Sequence, residues 1–527
     1  MFLKVILLVL FFATMIGVGI YCRKSATDVN GFVLGGRNVG SWLTAFAFGT
    51  SYFSAVIFVG YAGQFGWRFG LASTWIGIGN ALLGSLLAWR VLGRRTRLMS
   101  QHLHSATMPD FFGRRFNCNG LKTAASLIVF VFLIPYTASL YNGLSRLFGM
   151  AFGIDYIWCV LGMAVLTGIY VLVGGYMATA VNDFIQGMIM LVGICAVVVS
   201  VLNGNGGFTE AVSSLSSIPS EAAPNLSGAF VSFFGPQPIA LLGVILLTSL
   251  GTWGLPQMVG KFYAIRDEQA IRKGTVISTV FAIIVAGGCY FLGGFGRLYS
   301  DTIEYTAAGT PIYDSIVPSM LQTLPDLMIG IVIILVLSAS MSTLSSLVLT
   351  SGSTMTLDII APAVSHKGGK GMNEKAQLLC IRLLVLFFIA VSSVLAIIQA
   401  RSSVTFIAQL MGISWGALAG AFLAPFLYGL YWKRTTTASV WVSFFTGVLV
   451  MCGCMFCTFT GKTFISPFFT SPINAGVLAM VAGLVIVPVV SVLTPVRNRK
   501  EVDDMFVCYD TKVTVRVSTS LSDPVEE

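Results

Sequence analysis

Only 10% of the 527 residues are charged, against 56% hydrophobic, whereas an ordinary soluble chain carries roughly a quarter charged residues. About a dozen apolar runs near 20 residues long cannot all be hidden in soluble cores, so this is an integral membrane protein. The net charge of +10 does not point to nucleic acid, because the basic residues crowd alternate loops.

The first apolar run, 2–22, has only Lys4 as a basic flank and no small-residue cleavage site after it. It reads as a retained first span. The second run, 42–66, is interrupted at Phe48-Gly49-Thr50-Ser51-Tyr52-Phe53-Ser54. Runs follow at 70–93, 121–147, 154–175 and 182–203. The seventh, 236–260, is interrupted at Gly251-Thr252-Trp253-Gly254-Leu255-Pro256. The rest lie at 274–298, 327–356, 376–399, 403–431, 437–461 and 472–494. That is an all-α membrane fold of about 13 spans, a transmembrane domain over 1–494. Residues 495–527 are polar and read as a mostly disordered cytoplasmic tail.

Glycine and small hydroxyl residues inside a span make sense where unwound backbone lines a site. With the first span set aside, five spans run from 42 to 203 and five from 236 to 431, each set opening on a broken one. An odd number per set inverts the second relative to the first. The pattern is a five-plus-five inverted repeat, with cargo bound near mid-membrane.

Arg90, Arg94, Arg95, Arg97, Arg114, Arg115 and Lys122 crowd one loop, and Lys261, Arg266, Arg272 and Lys273 another. Lys367, Lys370 and Lys375 mark a third, Lys433 and Arg434 a fourth, and Arg497, Arg499 and Lys500 the tail. The loop from 203 to 236 has none. Positive loops face inward, which puts the N-terminus outside and the tail in the cytoplasm.

Two features carry chemistry. Asp183 falls at or just inside a span start, and an intramembrane acid costs about 2.5–3.5 kcal/mol, so it marks function unless the helix N-terminus alone favours it. The ninth span holds a dense hydroxyl run, Ser338 to Ser346. Sodium, a hard cation, takes carbonyl and hydroxyl oxygens. Ser342 and Thr343 offer two side-chain oxygens and the Ala339 carbonyl a third; the competing role for such residues is helix packing. Cys452, Cys454 and Cys457 lie in a uniformly apolar stretch and read as packing residues. No constellation of acid, base and nucleophile favours an enzyme.

Leu34-Gly35-Gly36-Arg37 ahead of the first break resembles the sodium/solute symporter family, whose members include proline, pantothenate, sialic acid and sugar symporters. Met341-Ser342-Thr343-Leu344-Ser345 resembles the family's ion-site helix. Gly174-Gly175 with Asp183, and Tyr431-Trp432-Lys433-Arg434, fit its other landmarks across residues 30–440. The resemblance implies the leucine-transporter-type fold and sodium-driven alternating access, with Na+ as the coupling ion. It also implies a main sodium site made of the Thr50 and Phe53 carbonyls, the Ala339 carbonyl and the Ser342 and Thr343 hydroxyls, with Asp183 close by. Some relatives are proposed to hold a second sodium, here at Asp183, Ser345 and Ser346 with Ser342 shared. Proline carriers have an aspartate where this chain has Tyr52.

The expected cargo cavity is lined by Tyr52, Phe53, Tyr136, Thr248, Trp253 and Gln409, apolar walls with a few hydrogen-bonding groups. It suits a small polar solute, an amino acid such as proline foremost. The partners expected are this solute, sodium and the lipid bilayer, with no nucleic acid and no obligate protein partner, in a plasma membrane of bacterial type. The alternatives are a proton-coupled or uncoupled carrier of a sugar or monocarboxylate, with Asp183 as proton carrier, and a solute-binding membrane sensor.

Overall fold

A computed structural model describes residues 2–307, 309–366, 371–400, 407–460, 470–496 and 499–510. The start of the expected span at 403–431, Lys367, Lys370, Arg497 and residues 511–527 lie outside the described residues. Among the described residues, ten helices are long and apolar enough to cross a membrane, or 11 when one bent pair is counted. The two longest of these runs turn at a glycine. Tyr156–Gly204 has 49 residues, about 70 Å of helix against a hydrocarbon core of roughly 30 Å. It turns at Gly175, where φ is 55° and ψ −150°. A side chain there would be strained, and its Cβ would press on Phe32. Val56–His102 likewise turns at Gly70, where φ is 63° and a Cβ would run into the Phe230 backbone.

Both predicted interruptions are real breaks in helix geometry. The first broken span is helical over Ser41–Tyr52, extended at Phe53 (φ −89°, ψ 120°), and helical again from Ala55. The second runs Pro238–Leu250, tightens to a 3₁₀ turn over Gly251–Gly254, extends at Leu255 (φ −89°, ψ 119°) and resumes as Pro256–Ala264. Its two halves are bent by 48°. Pro256 explains this break locally: it biases Leu255 away from helical backbone and starts the next helix without needing an N–H partner. The first break has no proline and depends on its surroundings.

The two broken spans meet. Val39 N–H donates to the Ala264 carbonyl at 3.1 Å, and Arg266 N–H donates to the Val39 carbonyl at 3.0 Å. The entrance of one and the exit of the other therefore share one end of the protein. Beside the first break runs the hydroxyl-rich helix Asp326–Thr354, buried through its second half except at Thr350. It packs on Tyr156–Gly204 and on Asn119–Phe152. The polar tail, expected to be mostly disordered, is helical over Arg499–Phe506. Phe506 is buried 5.1 Å from the Arg115 guanidinium. Asp503 pairs with Lys433 at 2.7 Å. Arg95 lies over the Tyr431 ring at 4.0 Å and the Tyr509 ring at 4.4 Å. These contacts supply the burial that composition alone does not reveal.

Candidate functional site: an oxygen cluster beside an aromatic cluster

A helix that stops leaves the carbonyls of its last turn without intrahelical partners. At the first break these carbonyls face the hydroxyl-rich helix. Ser342 Oγ donates to the Thr50 carbonyl at 3.1 Å and lies 3.1 Å from the Ala339 carbonyl. Thr343 Oγ1 lies 3.1 Å from the Thr50 carbonyl, 3.3 Å from the Phe53 carbonyl and 3.1 Å from the Ala339 carbonyl. Back-bonding to Ala339 is common for helical serine and threonine; reaching two carbonyls of another helix is not. Oxygens about 2.3 Å from a hard cation, set at right angles, sit roughly 3.3 Å apart. The five hydroxyl-to-carbonyl distances given above have about that spacing, and the residues are buried.

Asp183 is fully buried, eight residues beyond the Gly175 turn. Neither of its oxygens has a hydrogen bond. Its nearest cation is Lys261, whose Nζ is 3.7 Å from Oδ2. This corrects the reading of Lys261 as an interfacial loop charge: it lies within the helix Pro256–Ala264, only 3% exposed. The second half of the broken span points it inward, a direction that composition cannot register. Lys261 Nζ also donates to Ser346 Oγ at 3.0 Å. Ser346 Oγ is 2.8 Å from Ser51 Oγ, next to the Thr50 carbonyl. Ser345 Oγ turns back to the Ser342 carbonyl at 2.9 Å.

On the other side of the first break lies an aromatic cluster. The Tyr52 hydroxyl donates to the Thr248 carbonyl at 3.0 Å, joining the two broken spans. The Tyr52 ring is 4.6 Å from Phe53 and 5.5 Å from Trp415, and Tyr136 meets Trp415 edge-on at 6.0 Å. Thr248 Oγ1 and Ser249 Oγ both donate to Asn80 Oδ1, at 2.9 and 3.0 Å. The Tyr136 hydroxyl, Trp415 Nε1, Ser54 Oγ and Asn80 Nδ2 are buried without hydrogen-bond partners. Groups of this kind cost free energy unless something polar meets them. Tyr52, Phe53, Tyr136 and Thr248 thus come together. Trp253 turns aside, its indole N–H donating to the Leu83 carbonyl at 3.0 Å. Gln409 lies in the first turn of Ile407–Tyr431 with its Oε1 unpartnered. Trp415, Asn80, Ser51 and Lys261 join the two sites without having been singled out from the sequence. Asn80, a polar residue inside an apolar run, is the one that could have been found there.

A bundle of membrane helices with two breaks, one of them packed against a cluster of carbonyl and hydroxyl oxygens, has the layout of a secondary transporter with discontinuous helices. The family model described as the sodium:solute symporter family matches residues 32–447. The chain belongs to that family; it is a multi-pass membrane protein that performs sodium-coupled solute symport and is not an enzyme. It is similar to the osmoregulated proline transporter of Bacillus subtilis, 29% identical over 491 residues, covering 92% of this chain and 94% of the relative. Sodium/proline symporter 2 of Staphylococcus saprophyticus is 30% identical over 457 residues, covering 85% of this chain and 84% of the relative. Among solved structures, a Na+-coupled sialic acid symporter in a substrate-bound outward-open state superposes with a TM-score of 0.70 at 17% identity, covering 94% of this chain and 99% of that one. A manganese transporter of Eremococcus coleocola gives a TM-score of 0.50 at 14% identity, covering 89% of this chain and 96% of that one. These likenesses show the fold, the leucine-transporter type.

Proposed function

We propose that the chain imports a small amino acid or a similar polar metabolite, with proline the first candidate, by sodium-driven alternating access. The observation that carries this reading is the convergence of the Thr50, Phe53 and Ala339 carbonyls on the Ser342 and Thr343 hydroxyls, all within 3.1–3.3 Å. Sodium arriving there ties the first broken span to the hydroxyl-rich helix. The same residues, Tyr52 and Phe53, wall the solute chamber, so ion arrival shapes the pocket. The similarity to proline transporters supports proline. Tyr52, which replaces the aspartate of proline carriers, supports testing other neutral and zwitterionic solutes as well. The unpartnered donors at Tyr136, Trp415 and Asn80 suit a carboxylate or carbonyl.

In this reading the chain makes thirteen crossings, with the inverted repeats at 42–203 and 236–431 and the N-terminus outside. The meeting of Val39 with Ala264 and Arg266 supports the inversion. The tail faces the cytoplasm of a bacterial plasma membrane, and sodium leaves past Asp183. The inward gradient does the work, with the membrane potential alone giving about 2.3 kcal/mol per charge per 100 mV.

The test is uptake into proteoliposomes of radiolabelled proline and a panel of amino acids, with and without an inward sodium gradient. A named solute accumulates only with the gradient. Uptake that follows a proton gradient and ignores sodium would instead make Asp183 the proton carrier.

A further inference from the structure

We propose that the Lys261 ammonium is a tethered occupant of the second cation position, so that one sodium ion and not two drives each cycle. This rests on the sodium-symport reading above and goes on to assign its stoichiometry.

The second position is defined by Asp183, Ser346 and their neighbours. Lys261 reaches it from the second half of the broken span, while Asp183 comes from Tyr156–Gly204 and Ser346 from Asp326–Thr354. Its Nζ has the surroundings a small cation takes: a carboxylate oxygen at 3.7 Å, a hydroxyl at 3.0 Å and the face of the Tyr176 ring at 5.2 Å. All of these groups are buried. The local charge is already balanced by one carboxylate and one ammonium. A sodium ion added against Asp183 would place a second positive charge in a buried site that holds one negative charge, where like charges repel strongly.

The position is also linked to the main ion nest. Ser346 Oγ accepts from Lys261 and bonds Ser51 Oγ at 2.8 Å, and Ser51 adjoins Thr50. A small cavity of about 50 Å³, lined in part by Thr107, Tyr176, Gln257, Lys261 and Ser346, adjoins this point. An ammonium on a side chain cannot leave through it. It therefore holds the second position through every cycle and carries no net charge across the membrane.

The experiment counts radioactive sodium bound per polypeptide on the purified full-length chain, without solute. The wild type binds one sodium, and so does Lys261→Arg. Lys261→Met, which frees Asp183 to accept an ion, binds two, and the sodium dependence of its uptake steepens from a Hill coefficient near one toward two. Two sodium ions on the wild type overturn the proposal, as does a folded Lys261→Met protein that binds no more sodium than the wild type. If Lys261→Met does not fold, the wild-type count and Lys261→Gln decide. No sodium on the wild type but one on Lys261→Met supports the lysine assignment while sinking the main site. None on either overturns both.

Discussion

The two broken spans have nearly the same backbone and opposite chemistry. Phe53 and Leu255 share φ −89° and ψ near 120°, yet the first break presents free carbonyls and the second presents a side chain. At the first, the Thr50 and Phe53 carbonyls turn to the Ser342 and Thr343 hydroxyls. At the second, Pro256 fixes the bend and the helix behind it aims Lys261 at Asp183. In the proposed reading, one backbone device serves a removable cation and a permanent one. The break decides where polar groups surface in the membrane; neighbouring side chains decide which charge they hold.

The largest expected effect tests the permanent cation. Asp183→Asn leaves Lys261 buried without its counter-charge, and breaking such a pair costs about 3–5 kcal/mol. Thermal unfolding of the purified variant should fall steeply, and pairing it with Lys261→Met should recover most of the loss. An Asp183→Asn protein as stable as wild type would show the ion pair to be idle. The removable cation comes next. Thr343→Ala deletes a hydroxyl that reaches three carbonyls, and Ser342→Ala one that reaches two. Losing a charge-assisted oxygen of about 1.5–3 kcal/mol should raise the sodium concentration for half-maximal uptake roughly 10- to 100-fold, more for Thr343. Uptake at saturating sodium should suffer less, and unchanged sodium curves in both variants would refute the nest.

A third change tests the close packing of the second break. A Cβ at Gly254 would lie 2.8 Å from Ala419 Cα and 2.9 Å from the Leu423 nitrogen, both backbone atoms. Gly254→Ala should cost about 1–3 kcal/mol in stability, read as a lower melting temperature; tolerance without loss would mean this half moves freely. The smallest effect concerns the link between breaks. Tyr52→Phe removes only the hydrogen bond to the Thr248 carbonyl, worth about 0.5–1.5 kcal/mol. A few-fold weaker apparent affinity for solute is expected in uptake assays, with sodium affinity changed less.

The oxygen cluster at the first break is largely legible in the sequence because its parts are local. Gly49 and the hydroxyls after it mark a helix that can open, and adjacent Ser342 and Thr343 mark a pair of oxygens one turn beyond Ala339. Thr248 and Tyr136 are legible in the same way, as polar groups in apolar runs. Trp253 shows the limit: its place in the second break suggests the chamber, but its indole turns to Leu83. Lys261 shows it more sharply. Hydropathy and charge counting assign a lysine near a span end to the interface, because they carry no information on which way the half-helix points.

What the sequence determined by itself is the solvent and the grammar of this protein: an apolar chain must satisfy its backbone within helices, and it can break them only where small and hydroxyl residues let the freed groups find partners. What only the tertiary structure decided is the pairing across elements far apart in the chain. Whether Lys261 meets Asp183, or Trp415 meets Tyr136, depends on helix rotation and the 48° bend. Those are set by packing among many helices at once, which no local pattern encodes.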